Sequence, residues 1–176
     1  MTRLRLVIVA LAAFAVPCTS VADPIIDLHK LVEGVESVTP PGPTVELLDN
    51  VTFTYLLEND GTEILAVVSL VDDNRTPGDV GDDFFPTFVG GDLNGNALLD
   101  LGEIWVYAAT VFADTEGQFQ NTAIAVAAGP SGSPTVDTAI AHYFVGTPQV
   151  LPEPSTLLLL GLGLAGLALG RRKRAP

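Results

Sequence analysis

The chain has 176 residues and a formal net charge of −13, from 21 acidic against 8 basic residues. Six of the basic residues sit near the ends, at Arg3, Arg5, Arg171, Arg172, Lys173 and Arg174, so residues 23–150 hold 20 acidic residues against Lys30 and Arg75, a net of −18. Such a body repels nucleic-acid phosphates and anionic membrane surfaces, which excludes nucleic acid as a partner, and the single cysteine, Cys18, excludes a disulfide framework.

The first element is a processing segment. Arg3 and Arg5 precede an unbroken apolar run over residues 6–16, and Ser20-Val21-Ala22 places small residues where a signal peptidase reads. A run of 11 residues rises about 1.5 Å per residue, roughly half of a bilayer core, so it reads as a cleaved signal and not as an anchor. Residues 1–22 are the expected signal peptide, and Asp23 the first mature residue. Pro17 stands where lipid attachment at Cys18 wants a small residue. Cleavage after Ala22 leaves no cysteine, so the mature chain must be held by its core or by ions.

The body, residues 23–147, reads as β throughout. A first strand is expected around 25–31. A stiff loop, Thr39-Pro40-Pro41-Gly42-Pro43, follows it. "VTFTYLL" at 51–57 alternates and is rich in β-branched and aromatic residues. Asn59-Asp60-Gly61 then signals a turn, with 64–71 as the returning strand. Residues 104–112, 118–127 and 135–144 complete the set. No stretch carries a sustained 3.6-residue period. About seven strands in one domain define an all-β fold, a single β-sandwich. Its expected buried anchors are Phe53, Tyr55, Val67, Trp105, Tyr107, Ile124 and Val126.

Between the strands lies "DLNGNALLDLGE" at 92–103. It places oxygen side chains at loop positions 1, 3, 5, 9 and 12, the pattern of an EF-hand Ca²⁺ loop, with Leu99 as the apolar residue at position 8. The expected structural Ca²⁺ ligands are Asp92, Asn94, Asn96, Asp100 and Glu103, with the Leu98 carbonyl. Ala97 stands where the motif has glycine, and the flanks read as strands and not helices; an ordinary Asp/Asn/Gly-rich turn is the alternative. Asp72, Asp73, Asp79, Asp82 and Asp83 form a second acidic stretch, expected as a mobile solvated loop that could add ligands.

Catalysis finds little support. His29 and His142 are the only histidines, far apart and read as surface or strand residues. G-x-S-x-G and H-E-x-x-H are absent from the sequence. Chance carboxylate pairs are common in so acidic a chain, so they argue weakly for a glycosidase.

The last element, 148–176, has three parts. Pro152-Glu153-Pro154-Ser155 precedes 15 uncharged residues at 156–170, and Arg171-Arg172-Lys173-Arg174 follows. The uncharged segment makes about 22 Å of helix, nearly enough to span if the arginines snorkel. The basic cluster should stay cytoplasmic and leave the Pro-Glu-Pro-Ser motif outside. Prolines keep the helix from extending further back, and Ser155 is a suitable N-cap. "GLGLAG" at 161–166 spells a dinucleotide fingerprint, but it has no preceding strand and carries no such meaning.

These three parts, in this order, resemble the PEP-CTERM protein-sorting signal of Gram-negative bacteria that make exopolysaccharide. The resemblance implies processing by an exosortase, a membrane-embedded cysteine transpeptidase-like enzyme, with this chain as substrate through Pro152, Glu153, Pro154 and Ser155. A second resemblance rests on "NVTFTYLLENDGTEIL", "GDLNGNALLDLGEIWVYAAT" and "GQFQNTAIAVAA". These are similar to the conserved Ig-like repeat of bacterial surface proteins, which implies a structural or adhesive module without catalytic residues. The expected protein is an exported, non-enzymatic, exosortase-sorted component of the cell envelope, cell surface or polysaccharide matrix. Exopolysaccharide is a candidate partner, and the tail helix attaches the chain to the membrane before processing. The alternative is a secreted carbohydrate-binding or carbohydrate-active module, for which Tyr143, Phe144, Phe84 and Phe85 are the candidate exposed aromatics.

Overall fold

The computed structural model describes residues 22–147 together with Leu164. The expected signal peptide, the sorting motif at 152–155, the tail helix as a whole and the basic cluster lie outside the described residues. Nine strands build the body. One sheet contains β1 (Ile26–Val32), β2 (Val35–Glu36), β4 (Asn50–Asn59), β6 (Thr87–Gly90) and β7 (Ile104–Phe112), in the order β2-β1-β4-β7-β6. The other contains β3 (Thr44–Val45), β5 (Ala66–Asp72), β8 (Gly117–Ala128) and β9 (Pro134–Val145), in the order β3-β9-β8-β5. The result is an all-β sandwich of a five-stranded and a four-stranded sheet. Among the described residues, no helix is long and apolar enough to cross a membrane.

The six longer strands fall where alternation and β-branched content predict them. β4 buries Val51, Phe53, Tyr55 and Leu57 on one face, and β1 buries Ile26, Leu28, Lys30 and Val32. The three additional strands are short. β2 and β3 have two residues each, too few to display a period of two. β6 is an edge strand, paired to β7 through a shifted register between Phe88 and Gly90.

Three expectations are corrected. Asn59-Asp60-Gly61 does not close a hairpin. β4 pairs with β1 and β7, whereas β5 pairs with β8 in the other sheet. The Asn59 side chain explains this: its Nδ2 donates to the carbonyls of Glu63 (2.8 Å) and Leu99 (2.9 Å), so the turn leads the chain across the sandwich.

Ile124 is 45% exposed, and Val126 is only half-buried, while Ala123, Ala125 and Ala127 point inward. The reason is volume. The facing layer already carries Phe53, Tyr55, Leu57 and Trp105, and two sheets about 10 Å apart leave room only for small side chains opposite such rings. Tyr143, expected among exposed aromatics, is instead fully buried. Its ring lies edge-on to Phe53 at 5.7 Å and stacks on Phe119 at 5.5 Å.

The loop before β3 is held by close backbone approach to β9. Gly42 has φ of 72°, and a Cβ there would come within 1.8 Å of the His142 carbonyl oxygen. The free edge of β1 is blunted by the other sheet. Thr135 Oγ1 accepts from the Ile26 N–H (3.3 Å), and Asp137 Oδ2 from the Leu28 N–H (2.8 Å). Unpaired edge N–H groups template strand addition, so these two side chains protect the sandwich from edge-to-edge association.

Candidate functional site

The 92–103 loop wraps around its first carboxylate. Asp92 Oδ1 accepts from the N–H groups of Gly95 (2.8 Å) and Asn96 (3.2 Å), and Oδ2 from that of Ala97 (2.9 Å). Asn94 Nδ2 and Asn96 Nδ2 both donate to Asp100 Oδ2, at 2.6 and 2.8 Å. Leu99 is fully buried and exchanges two backbone hydrogen bonds with Leu65, which pins the loop to the core. Asp92, Asn94, Asn96 and Asp100 therefore come together. Glu103 closes the loop behind them, its N–H donating to the Asp100 carbonyl (3.2 Å) and its Oε2 accepting from the Asp100 N–H (3.3 Å). It is buried, with Oε1 accepting from the Leu93 N–H (3.0 Å) and Oε2 from Trp105 Nε1 (3.2 Å). Among the described residues, no group of three or more His, Cys, Asp or Glu side chains is gathered as a metal cluster.

Ala97 adopts a φ of 60°, the left-handed turn that the pattern assigns to glycine. A Cβ in this region costs on the order of 1 kcal/mol. Ala97→Gly is therefore expected to raise stability by up to ~1 kcal/mol, less the entropy that glycine loses on folding. A urea titration in which this variant unfolds more readily than wild type would contradict the left-handed conformation.

The second acidic stretch is also corrected. Asp72 is not in a solvated loop but ends β5, fully buried. Asp73 Oδ1 accepts from the Thr122 N–H at 2.9 Å, and Asp82 Oδ1 from Thr76 Oγ1 at 2.6 Å. Asp79 and Asp82 are exposed. Beside them, Val71, Asp73, Pro77, Asp83, Thr122 and the outward-facing Ile124 line an open cleft of about 320 Å³.

Inside the sandwich lies a charged centre that sequence reasoning missed. Lys30 Nζ donates to Asp72 Oδ2 at 2.7 Å, with both side chains at 0% exposure. The Tyr55 hydroxyl donates to the same oxygen, and Asp72 Oδ1 accepts from the Asn74 N–H at 3.0 Å. The rings of Phe53 and Tyr55 lie 5.0 and 5.5 Å from Nζ. Burial lowers the Lys30 pKa, against the opposing pull of Asp72, and burial together with Asp72 raises that of Tyr55. A signal was available: Lys30 falls on the inward positions of β1, in register with Leu28 and Val32. Nearby in chain order, His29 faces outward. Its Nδ1 lies 2.9 Å from Glu36 and its Nε2 3.3 Å from Asp27, and the Glu36 hydrogen bond raises its pKa.

The fold and this interior define an acidic β-sandwich with a buried Lys30–Asp72–Tyr55 centre. Residues 150–174 match the family model described as the PEP-CTERM protein-sorting motif. The match spans Pro152, Glu153, Pro154 and Ser155 and extends to Arg174. No curated protein matches the chain. Among solved structures, the ASH/PapD-like domain of human CEP192 (PapD-like domain 7) is similar at 13% identity and a TM-score of 0.42, covering 80% of this chain and 99% of that one.

Proposed function

We propose that this chain is an exported protein, sorted by an exosortase and displayed as a non-enzymatic structural or adhesive sandwich at the cell envelope, the cell surface or in a polysaccharide matrix. The observation that carries the reading is the PEP-CTERM motif at 150–174, which begins shortly after the last strand ends at Val145. A sandwich followed directly by a sorting signal suits delivery of a folded module. The motif implies an exosortase as processing partner, and the apolar segment at 156–170 holds the substrate in the membrane until cleavage. The −18 body, with its interior filled by packed rings and an internally paired lysine, supports solubility and rigidity in place of catalysis. Terminal-peptide mass spectrometry of the surface form tests this. The mature N-terminus is expected at Asp23, and peptides beyond the Pro-Glu-Pro region are expected to be missing. Recovery of intact Arg171 to Arg174 in the predominant extracellular form would overturn it.

A second reading concerns the loop. We propose that 92–103 takes a weakly bound structural Ca²⁺ through Asp92, Asn94, Asn96, the Leu98 carbonyl, Asp100 and Glu103. The left-handed Ala97 and the convergence of Asn94 and Asn96 on Asp100 support it. Binding requires the two amides to turn their oxygens inward and Glu103 to release its present donors, so affinity falls in the range of about 10⁻⁴ to 10⁻³ M typical of extracellular modules. Ca²⁺ at ten times its dissociation constant then stabilises the fold by about 1.4 kcal/mol. Thermal melts in Ca²⁺ should exceed those in Mg²⁺ at equal ionic strength, and Asp92→Ala and Glu103→Ala should lose the difference. Equal responses to both ions in all three proteins would reduce the loop to an acidic turn.

A further inference from the structure

We propose that Lys30 and Asp72 are joined by an amide bond between Lys30 Nζ and Asp72 Cγ, formed inside the folded sandwich without an enzyme. The amine and the carboxylate are already in contact at 2.7 Å, and neither side chain reaches solvent. Groups held together in this way react with effective molarities of roughly 10⁵ M or more, which turns an unfavourable condensation in water into a feasible one. The surroundings are dry. The rings of Phe53 and Tyr55 flank Nζ, and burial lowers the Lys30 pKa, favouring the neutral amine that attacks a carbonyl carbon.

The carboxylate is polarised at both oxygens, and the two are held differently. Oδ1 accepts from the Asn74 N–H, which can stabilise negative charge as the carbon becomes tetrahedral. Oδ2 accepts from both Lys30 and the Tyr55 hydroxyl, which marks it as the oxygen that leaves. The step balances without any co-reactant. The ammonium gives one proton to Oδ2, and the resulting amine lone pair forms the Nζ–Cγ bond. A second proton then passes from nitrogen to Oδ2, the Tyr55 hydroxyl serving as relay. The Cγ–Oδ2 bond breaks, and Oδ2 departs as water with both protons. No oxidant or reductant is involved.

The product has a physical rationale of its own. Two buried ions, each costly to desolvate, become one neutral amide. Lys30 belongs to the five-stranded sheet and Asp72 to the four-stranded one, so the bond ties the two layers of the sandwich together. The described body contains no cysteine to do so. This inference does not depend on the sorting reading.

The test is peptide mapping of the denatured full-length chain by mass spectrometry after digestion at glutamate. The peptides carrying Lys30 and Asp72 are expected as one species, lighter than their sum by one water, with fragment ions placing the link at these two residues. Lys30→Arg keeps the charge but should give two separate peptides at full mass. Two separate peptides from the wild-type chain would overturn the proposal and leave a non-covalent ion pair. So would a species lighter by one ammonia and joined to Asn121, whose buried amide has no hydrogen-bond partner.

Discussion

Asp72→Ala is expected to destabilise the sandwich by about 3–5 kcal/mol, because in the variant Lys30 is left as a buried charge with no partner, whether the wild-type pair is ionic or amide-linked. Three groups lose their acceptor at once: Lys30 Nζ, the Tyr55 hydroxyl and the Asn74 N–H. None of the rings around Nζ offers a replacement, and Lys30 cannot snorkel out because its side chain is fully enclosed. A domain of this size has about 5–15 kcal/mol of stability in total, so much of it would go. Asp60→Ala is the matched control: Asp60 is exposed, and its carboxylate makes none of these contacts. Its effect should stay within about 0.5 kcal/mol. Urea unfolding of the two variants should therefore show widely separated midpoints. Nearly coincident midpoints would mean that the buried centre contributes little, and the reading of the interior would fail.

The outline of the fold was legible because its long strands alternate. β7 spans 104–112 as alternation and its Trp-x-Tyr predict, and β4, β8 and β9 extend by only one or two residues beyond the expected limits at each end. The facing of β8 was not legible. In "TAIAVAA" either parity gives an apolar face, and the larger side chains at Ile124 and Val126 suggested the wrong one. What decides is the space left by the opposite sheet, a tertiary quantity that no local period contains.

The same limit hid the charged centre. Asp72 stands next to Asp73 and near three further aspartates, so composition alone assigns it to solvent. Only the register of β5 against β8, with Asp72 opposite Ala123, turns it inward to meet Lys30. The loop at 92–103 was more legible. Its pattern of Asp and Asn predicted a tight wrap, and the wrap is present, with alanine accepting the left-handed position. Glu103 closes the wrap from inside, its carboxylate accepting from the N–H groups of Leu93 and Asp100 and from Trp105 Nε1.

Deleting Pro152 to Pro154 has the largest expected effect on fate. The deleted residues lie inside the matched sorting motif and beyond the last strand, which ends at Val145. The sandwich should therefore keep its folding and its melting temperature, while the uncharged run at 156–170 is left in place. What is removed is the Pro-Glu-Pro part of the matched motif, the part proposed for recognition by the processing enzyme. The decisive measurement is quantitative mass spectrometry of surface and membrane fractions from the native host, comparing this deletion with the wild type. The prediction is that the deletion variant stays in the membrane fraction with its tail uncut and disappears from the surface form. Recovery of the variant at the surface in wild-type amount, with the tail removed, would contradict exosortase sorting through this motif.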